Sequence, residues 1–265
     1  MSEDKNITVK SREIKSRKAG PQDAKSKEVE LTSLDYVIRG LKAASIDSYN
    51  AETDKLAAYM EGILEWNEKI NLTAIIEPAE FVEKHYIDSL AALKVAEFQD
   101  AERIMDLGTG GGFPGVPLAI MRPEKEFILA DSIAKRLKII DKLTMALEIS
   151  NIETLHGRAE DLAHKEEYRE TFDLVVSRAV AEMKVLAEYA LPFVKVGGAM
   201  IAYKTEGEKL DEEITAAERA IKVLGGRPSR TKKGAGDHVL VIIEKVKKTP
   251  PKYPRKAGTP RKEPL

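Results

Sequence analysis

The chain contains no cysteine, and this absence excludes disulfides, zinc-thiolate sites and thiol nucleophiles together. No apolar run approaches the roughly 20 residues that a membrane helix needs. The N-terminal stretch MSEDKNITVKSREIKSRK also lacks the apolar core of a secretory signal. We therefore expect a cytoplasmic protein with no metal site and no membrane partner.

A large excess of one charge is also missing, since 43 Lys and Arg residues face 44 Asp and Glu residues. The near balance conceals a cationic end, because residues 245–265 hold eight basic residues and one acidic residue, Glu263. Residues 247–265, KKTPPKYPRKAGTPRKEPL, contain five prolines, which predicts an extended, polyproline-like, basic C-terminal arm. A simple solvated tail is the competing interpretation.

The first part of the chain is predicted to be helical after a charged, disordered N-terminal tail at residues 1–30. Two amphipathic segments follow, in which apolar residues recur at helical spacing: Leu34, Val37, Ile38 and Leu41, then Leu56, Tyr59, Met60, Ile63 and Leu64. The second helix should end near Asn71, and a third should run from residue 78 to about residue 93. We assign residues 31–97 to an N-terminal helical subdomain.

Short apolar runs alternate with helical segments in the rest of the chain, at residues 103–107, 126–130, 152–155, 172–176, 199–203 and 239–243. Such alternation is typical of parallel strands joined by crossover helices. Residues 98–246 are therefore predicted to form an α/β domain with a doubly wound, mostly parallel sheet.

The first apolar run leads into a glycine-rich loop, IMDLGTGGGFPG at residues 104–115. In doubly wound sheets the loop after the first strand cradles the ligand, and glycines let its backbone approach closely. A Walker-type phosphate loop would end in Gly-Lys-Ser/Thr, whereas this loop ends in Phe113-Pro114. A dinucleotide loop would need glycine in place of Phe113 and would bring Asp106 close to a pyrophosphate.

S-adenosylmethionine fits the loop better because its sulfonium and amino groups are cationic. We therefore predict cofactor contacts from Asp106 and from the alternating glycines Gly108, Gly110 and Gly112. Asp131 follows the next strand, where a carboxylate can accept both ribose hydroxyls. NAD enzymes share this last feature, and a simple acidic cap before Ser132 is the competing interpretation of Asp131.

With these residues the chain closely resembles the RsmG (GidB) family of 16S ribosomal RNA guanine-N7 methyltransferases. The resemblance spans residues 34–265 and is carried by NLTAI (71–75), EKHYIDSL (83–90), IMDLGTGGGFPGVPLAI (104–120), LADSIAKRLKII (129–140), HGRAED (156–161), VVSRAVA (175–181) and DHVLVIIEKVKKTPPKYPRKAGTP (237–260). It implies a Rossmann-like class I methyltransferase dependent on S-adenosylmethionine. It also implies cofactor contacts at Gly108, Phe113, Ala159, Glu160 and Arg178.

Methylation of guanine N7 needs no general base, because N7 attacks with a lone pair and has no proton to lose; alignment with the methyl group can supply the rate. The sequence agrees, since it lacks cysteine and the Asn/Asp-Pro-Pro-aromatic motif of amino-nitrogen methyltransferases. Our positioning candidates are Arg178, Lys204, His85 and Asp88. The competing interpretations are a salt bridge for Arg178, a solvated side chain for Lys204 and a packed or capping role for His85.

The predicted partner is 16S rRNA in the 30S subunit or its assembly precursor, bound largely through phosphates by a monomer. Lys135 and Arg136 are RNA-binding candidates, with a salt bridge to a nearby acid as an equal alternative. Further candidates lie in the arm: Lys247, Lys248, Lys252, Arg255 and Lys256. Truncation after Val246 is expected to weaken RNA binding and to spare cofactor binding.

The predicted function is transfer of a methyl group from S-adenosylmethionine to N7 of guanine-527, in the 530 loop of 16S rRNA. A small-molecule methyltransferase of the same fold is one alternative, and it would need an enclosed apolar acceptor pocket. A non-catalytic ribosome-associated binding protein is the other, and it would hold the cofactor without turnover.

Overall fold

The computed structural model describes residues 31–228 and 230–265, so the predicted N-terminal tail at residues 1–30 lies outside the described residues. Two helices come first, α1 (Ser33–Ala43) and α2 (Asn50–Asn67). Helix α2 ends at Asn67 rather than near Asn71, because Asn67 Oδ1 accepts hydrogen bonds from the backbone nitrogens of Leu72 (2.7 Å) and Thr73 (2.9 Å). The side chain of Asn67 thus turns the chain out of the helix.

The third predicted helix is present as a helical run over residues 78–94. It consists of α3 (Pro78–Phe81), a π-helical turn (Val82–Ile87), α4 (Asp88–Leu90) and a 3-10 turn (Ala91–Lys94), and α5 (Ala96–Gln99) follows. In α1 the buried residues are Val37 and Leu41, whereas Ile38 is 48% exposed. The placement of Ile38 on the apolar face is therefore wrong, since it lies about 100° around the helix from Val37.

Seven strands form one sheet in the order β3-β2-β1-β4-β5-β7-β6. They are β1 (Arg103–Leu107), β2 (Glu126–Asp131), β3 (Ile152–His156), β4 (Phe172–Arg178), β5 (Val194–Thr205), β6 (Arg230–Lys233) and β7 (His238–Glu244). Strands β1 to β5 are parallel, which confirms the doubly wound, mostly parallel sheet. Residues 239–243 do form a strand, but the prediction that it is parallel is wrong. Strands β6 and β7 form a hairpin, and β7 runs antiparallel to β5.

Helices cover both faces of the sheet, as the crossover pattern predicted. Ile104 and Met105, adjacent in β1, belong to two different buried clusters, one on each face. The first cluster joins α1, α2 and the helical run 78–94 to α6 (Gly115–Met121) and α7 (Ala134–Ala146). The second joins α8 (Ala159–Leu162), α9 (Met183–Ala190) and α10 (Glu208–Val223). Residues 31–265 therefore pack as one compact unit, and the boundary at residue 97 stays a prediction.

Residues 247–265, which we call the C-terminal strap, fold back onto the second face and include α11 (Thr259–Lys262). Tyr253 is buried there, and Arg169 donates hydrogen bonds to the carbonyl oxygens of Thr249 (3.1 Å) and Tyr253 (2.9 Å). Proline-rich backbone offers few N–H groups for strand pairing, so these carbonyls are satisfied by a side chain instead. Both the extended, polyproline-like arm and the simple solvated tail are therefore wrong for the backbone of this segment. Within the described ranges, no helix is long and apolar enough to cross a membrane.

Candidate active site

The carboxyl ends of β1 and β2 open onto a cavity of about 540 Å3, at the edge where doubly wound sheets bind their ligands. Four of the predicted cofactor residues line it: Gly108, Asp131, Ala159 and Glu160. Val180, Tyr189 and three residues of the C-terminal strap, Gly258, Arg261 and Lys262, also line it. The cavity is large enough for a nucleoside-sized ligand.

The glycine-rich loop forms one wall of the cavity through backbone conformations that favour glycine. Gly108, Gly110 and Gly112 have φ angles of 77°, 60° and 91°. A Cβ at Gly108 would overlap with Cγ2 of Val180, which also lines the cavity. At Gly112 a Cβ would instead overlap with the hydroxyl of Tyr59 on α2. Gly108 therefore faces the cavity, whereas Gly112 faces the N-terminal helices.

Asp106 lies beneath this loop and is fully buried. Its Oδ2 accepts hydrogen bonds from Thr109 Oγ1 (2.7 Å) and from the backbone nitrogen of Gly115 (2.8 Å), which ties the end of β1 to the start of α6. Its Oδ1 has no partner among the described residues. Burial raises the pKa of Asp106 to about 6, although the hydrogen bonds from Thr109 and Gly115 oppose the rise. A buried carboxylate oxygen without a partner fits a cofactor with cationic groups.

Asp131 ends β2 and points into the cavity, where it is 6% exposed. Its two carboxylate oxygens accept hydrogen bonds from the backbone nitrogens of Gly110 (2.9 Å) and Ile133 (2.8 Å). Each carboxylate oxygen has a second lone pair, so both can still accept from ribose hydroxyls. The capping interpretation and the ribose interpretation are therefore compatible, and Gly110 contributes by holding this side chain in place.

Arg178 and Phe113 do not line this cavity; they lie in a second cluster with His85 and Asp88, which we call the Arg178 cluster. Arg178 Nη1 lies 2.8 Å from Asp88 Oδ2, and Arg178 Nη2 lies 3.1 Å from His85 Nδ1. The His85 ring stacks on Phe113 with centroids 4.3 Å apart. Arg178 thus forms a largely buried ion pair, while the predicted cofactor contacts of Phe113 and Arg178 stay predictions.

The hydrogen bonds of this cluster determine the tautomer of His85. A guanidinium can only donate, so His85 Nδ1 accepts from Arg178 and Nε2 carries the proton toward Thr73 Oγ1, 2.7 Å away. Burial, and secondly the charge of Arg178, lowers the pKa of His85 to about 3. His85 is therefore neutral at pH 7. Asp88 Oδ1 also contacts His238 Nδ1 at 2.7 Å, which connects β7 to the cluster.

The predicted RNA-binding residues differ in whether their charged groups are already paired with acids of the protein. Lys204 pairs with Glu213 (2.5 Å) and donates to the carbonyl of Ala181, and Arg136 lies 3.9 Å from Asp131. Arg255 pairs with the buried carboxylate of Glu188, so its guanidinium is held by an internal acid and its role as an RNA contact stays a prediction. The exposed candidates are Lys135, Lys247, Lys248, Lys252 and Lys256.

Sequence reasoning missed His238, Tyr189 and the three strap residues of the cavity. His238 is the first residue of β7, and the alternating pattern of a strand does not show that this side chain will contact Asp88. The composition of the strap predicted solvent exposure, since its anchoring partners, such as Glu188, lie about 70 residues away in the chain. The available signal was the position of DHVLVIIEKVKKTPPKYPRKAGTP in the family resemblance, which spans both His238 and Gly258.

Residues 52–241 match a protein family described as rRNA small subunit methyltransferase G. The chain is similar to the ribosomal RNA small subunit methyltransferase G of Clostridium tetani (strain Massachusetts / E88), with 49% identity over 224 residues, which are 83% of this chain and 91% of that relative. The protein of the same name from Clostridium novyi (strain NT) is 44% identical over 237 residues, 87% of this chain and 97% of the relative.

Solved structures of two methyltransferases share the fold. The S-adenosylmethionine-dependent methyltransferase SibL, in its apo form, has a TM-score of 0.52 at 13% identity, covering 81% of this chain and 74% of that one. An O-methyltransferase from Bacillus cereus in complex with SAH has a TM-score of 0.51 at 18% identity, covering 81% and 98%. Identities this low show the fold alone, which is that of the class I methyltransferases.

Proposed function

Because the chain belongs to the rRNA small subunit methyltransferase G family, we propose that it transfers a methyl group from S-adenosylmethionine to N7 of guanine-527 in the 530 loop of 16S rRNA. The observation that carries the proposal is the cavity at the ends of β1 and β2, built from Gly108 and Asp131 in a chain with this family membership. When bound, the cofactor supplies an electrophilic methyl group. The protein supplies the alignment of that group with the base.

Three carboxylates divide the recognition of the cofactor in this proposal. Asp131 accepts from the ribose hydroxyls. Asp106 does not line the cavity, and its negative charge beneath the glycine-rich loop attracts the cationic methionine end. Glu160 and Ala159 line the cavity and are the contacts proposed for the nucleoside end of the cofactor. The glycines let the loop backbone approach without a Cβ in the way.

The Arg178 cluster positions the acceptor side rather than moving a proton. N7 has no proton to lose, and the neutral His85 already uses both ring nitrogens in hydrogen bonds. Arg178 ties the end of β4 to the helical run 78–94 through Asp88. We propose that this tie, together with the stacking of His85 on Phe113, fixes the position of the helical run 78–94 beside the glycine-rich loop.

An RNA acceptor is favoured over a small molecule by the family membership and by exposed positive charge. Lys135 is exposed one turn beyond Asp131, and four lysines of the C-terminal strap are also exposed: Lys247, Lys248, Lys252 and Lys256. A small-molecule methyltransferase would have no use for these charges. The proposed substrate is the 30S subunit or its assembly precursor, and the proposed active form is a monomer.

Transfer of labelled methyl groups tests this function against both alternatives. The purified protein is incubated with methyl-labelled S-adenosylmethionine and 30S subunits that lack the modification at guanine-527, with naked 16S rRNA in parallel. We expect label in the RNA of at least one of these substrates. Binding of cofactor without label in either RNA would contradict the proposal and favour the binding-protein or small-molecule alternative.

A matched pair of glycine variants links transfer to the cavity. Gly108→Arg is expected to abolish both cofactor binding and transfer, because Gly108 has a positive φ and faces Val180. Gly197→Arg is the control, since Gly197 also has a positive φ, 93°, but lies exposed on β5 with nothing within 4 Å of its Cβ position. Circular dichroism checks that both variants are folded.

A further inference from the structure

The C-terminal strap contributes directly to the cavity that the proposed function assigns to the cofactor. Gly258, Arg261 and Lys262 line it together with Tyr189 of α9. The strap is therefore part of the ligand-facing surface, in addition to packing on the second face of the sheet. A free basic tail would have no such contact.

The strap is hydrogen-bonded to a carboxylate that also lines the cavity. The backbone nitrogen of Gly258 donates to Glu160 Oε1 at 2.9 Å, and Glu160 is 6% exposed. Glu160 follows β3 at the start of α8. Its orientation toward a ligand consequently depends on the strap, because one of its oxygens is engaged by strap backbone.

A buried ion pair anchors the strap three residues before Gly258. Arg255 donates to Glu188 through Nε (2.9 Å), Nη2 (2.7 Å) and its backbone nitrogen (2.8 Å). The carboxylate of Glu188 is fully buried in α9. A buried charge that loses its partner is strongly destabilising, so this anchor fixes the strap at one position. His164 Nε2 adds a contact to the carbonyl oxygen of Pro254 at 2.9 Å.

The strand order shows which end of the ligand the strap meets. Along the sheet, β3 lies next to β2, and β2 lies next to β1. An acid at the end of β2 that accepts from ribose places the nucleobase on the β3 side and the remainder of the cofactor on the β1 side. Glu160 and Gly258, which donates to it, lie on the β3 side, while Gly108 follows β1. The rest of the strap reaches this point from α9, where Arg255 is anchored.

From this geometry we infer that the C-terminal strap forms the wall of the cofactor site around the nucleobase, with Arg261 and Lys262 as contact residues and Arg255 as a positioning residue. The inference rests on the proposed cofactor site and assigns a binding role to a segment whose composition indicated only an RNA-binding arm. Truncation after Val246 is accordingly expected to remove cofactor binding, not to spare it.

Calorimetric binding of S-adenosylhomocysteine and of adenosine tests the inference. Arg261→Ala/Lys262→Ala removes two exposed contact side chains and no buried anchor, so the fold should be retained. We expect the affinity for both ligands to fall by the same factor, about tenfold, because both carry the same nucleobase. Gly108→Ala, on the β1 side, should weaken S-adenosylhomocysteine more than adenosine.

The anchor is tested with a pair of neighbouring strap residues. Arg255→Ala should weaken both ligands by at least the same factor, whereas Lys256→Ala removes an equal charge from an exposed side chain and should bind like the unaltered protein. Circular dichroism and thermal unfolding show whether Arg255→Ala folds; if it does not, the Arg261→Ala/Lys262→Ala variant decides alone. Unchanged affinity for both ligands in that folded double variant would overturn the inference.

The two proposals fail in different ways. If the unaltered protein binds S-adenosylhomocysteine and the strap variants bind it more weakly, but no 30S or 16S RNA is methylated, the strap inference stands and the RNA function fails. If the RNA is methylated and the strap variants bind both ligands normally, the function stands and the strap inference fails.

Discussion

At the scale of single residues, Asp106 couples cofactor binding to pH. Burial raises its pKa to about 6 in the free protein, and a cationic ligand favours its ionised form. Affinity should therefore be constant above pH 7 and fall as the pH drops through 6. S-adenosylmethionine should bind about tenfold more weakly at pH 5 than at pH 7, since one pH unit below the pKa corresponds to a factor of ten.

The control for this prediction is Asp106→Asn, which removes the titrating group. The variant should bind more weakly at pH 7 and show no further loss between pH 7 and pH 5 by calorimetry. If it kept the tenfold loss, another group would be responsible and the role assigned to Asp106 would be wrong.

His85 makes the stability of the fold sensitive to acid. Its folded pKa of about 3 lies below the unfolded value of about 6.5, so the unfolded state binds more protons and stability falls as the pH drops below 6.5. This one group should cost about 2 kcal/mol of unfolding free energy between pH 7 and pH 5. His85→Gln should therefore lose about 2 kcal/mol less than the unaltered protein over that interval in urea unfolding. Equal losses in both proteins would show that His85 is not a buried neutral histidine.

At the scale of elements, helix α2 supports the glycine-rich loop through one hydroxyl. Tyr59 Oη donates to the carbonyl oxygen of Gly111 at 2.9 Å, and its ring packs against Phe113. Tyr86, equally buried, donates to the carbonyl oxygen of Leu56 inside the helical layer. The two tyrosines thus differ in whether the hydroxyl reaches the loop.

Tyr59→Phe and Tyr86→Phe form a matched pair on this basis. Each should lower the unfolding free energy by about 1 kcal/mol, because each removes one buried hydrogen bond. Only Tyr59→Phe should also weaken binding of S-adenosylhomocysteine, measured by calorimetry. An equal effect of both variants on binding would show that the loop depends on general stability and not on α2.

The elements also differ in whether they can be predicted from the sequence. Strands β1 and β2 and the loop between β1 and α6 were predicted because apolar runs and glycines are local signals. Strand β6 gave no signal, since its four residues are all exposed and polar. The strap was misread because its burial depends on Glu188 and Arg169, which are distant in sequence. The same limit applies to the Arg178 cluster, in which only His85 and Asp88 are close along the chain.

At the scale of the whole molecule, the two ends of the described chain support the site in different ways. The N-terminal helices contact the glycine-rich loop through Tyr59, and the strap lines the cavity itself. The outer surface of the strap keeps the exposed lysines Lys247, Lys248, Lys252 and Lys256. One segment can therefore hold the cofactor with its inner side and meet RNA phosphates with its outer side.

Replacing two of these lysines separates the two roles. Lys252→Gln/Lys256→Gln should reduce the slope of log affinity against log salt for 16S rRNA by up to about 1.4–1.8, since each lost phosphate contact contributes about 0.7–0.9. Affinity for S-adenosylhomocysteine should not change. Arg39→Gln/Lys42→Gln makes the same charge change at exposed positions of α1, which packs on the other face of the sheet, and should leave the slope unaltered. Equal slopes in all three proteins would remove the strap from the RNA interface.

The central claim, methylation of N7 at one guanine, is tested most directly by mapping the product. The 30S subunits lacking the modification are treated with the protein and S-adenosylmethionine, and their RNA is then cleaved chemically at 7-methylguanosine and mapped by primer extension. One new cleavage is expected, at guanine-527, that is absent with Gly108→Arg and present with Gly197→Arg. Methylated RNA without cleavage at guanine-527 would contradict the assigned atom or position.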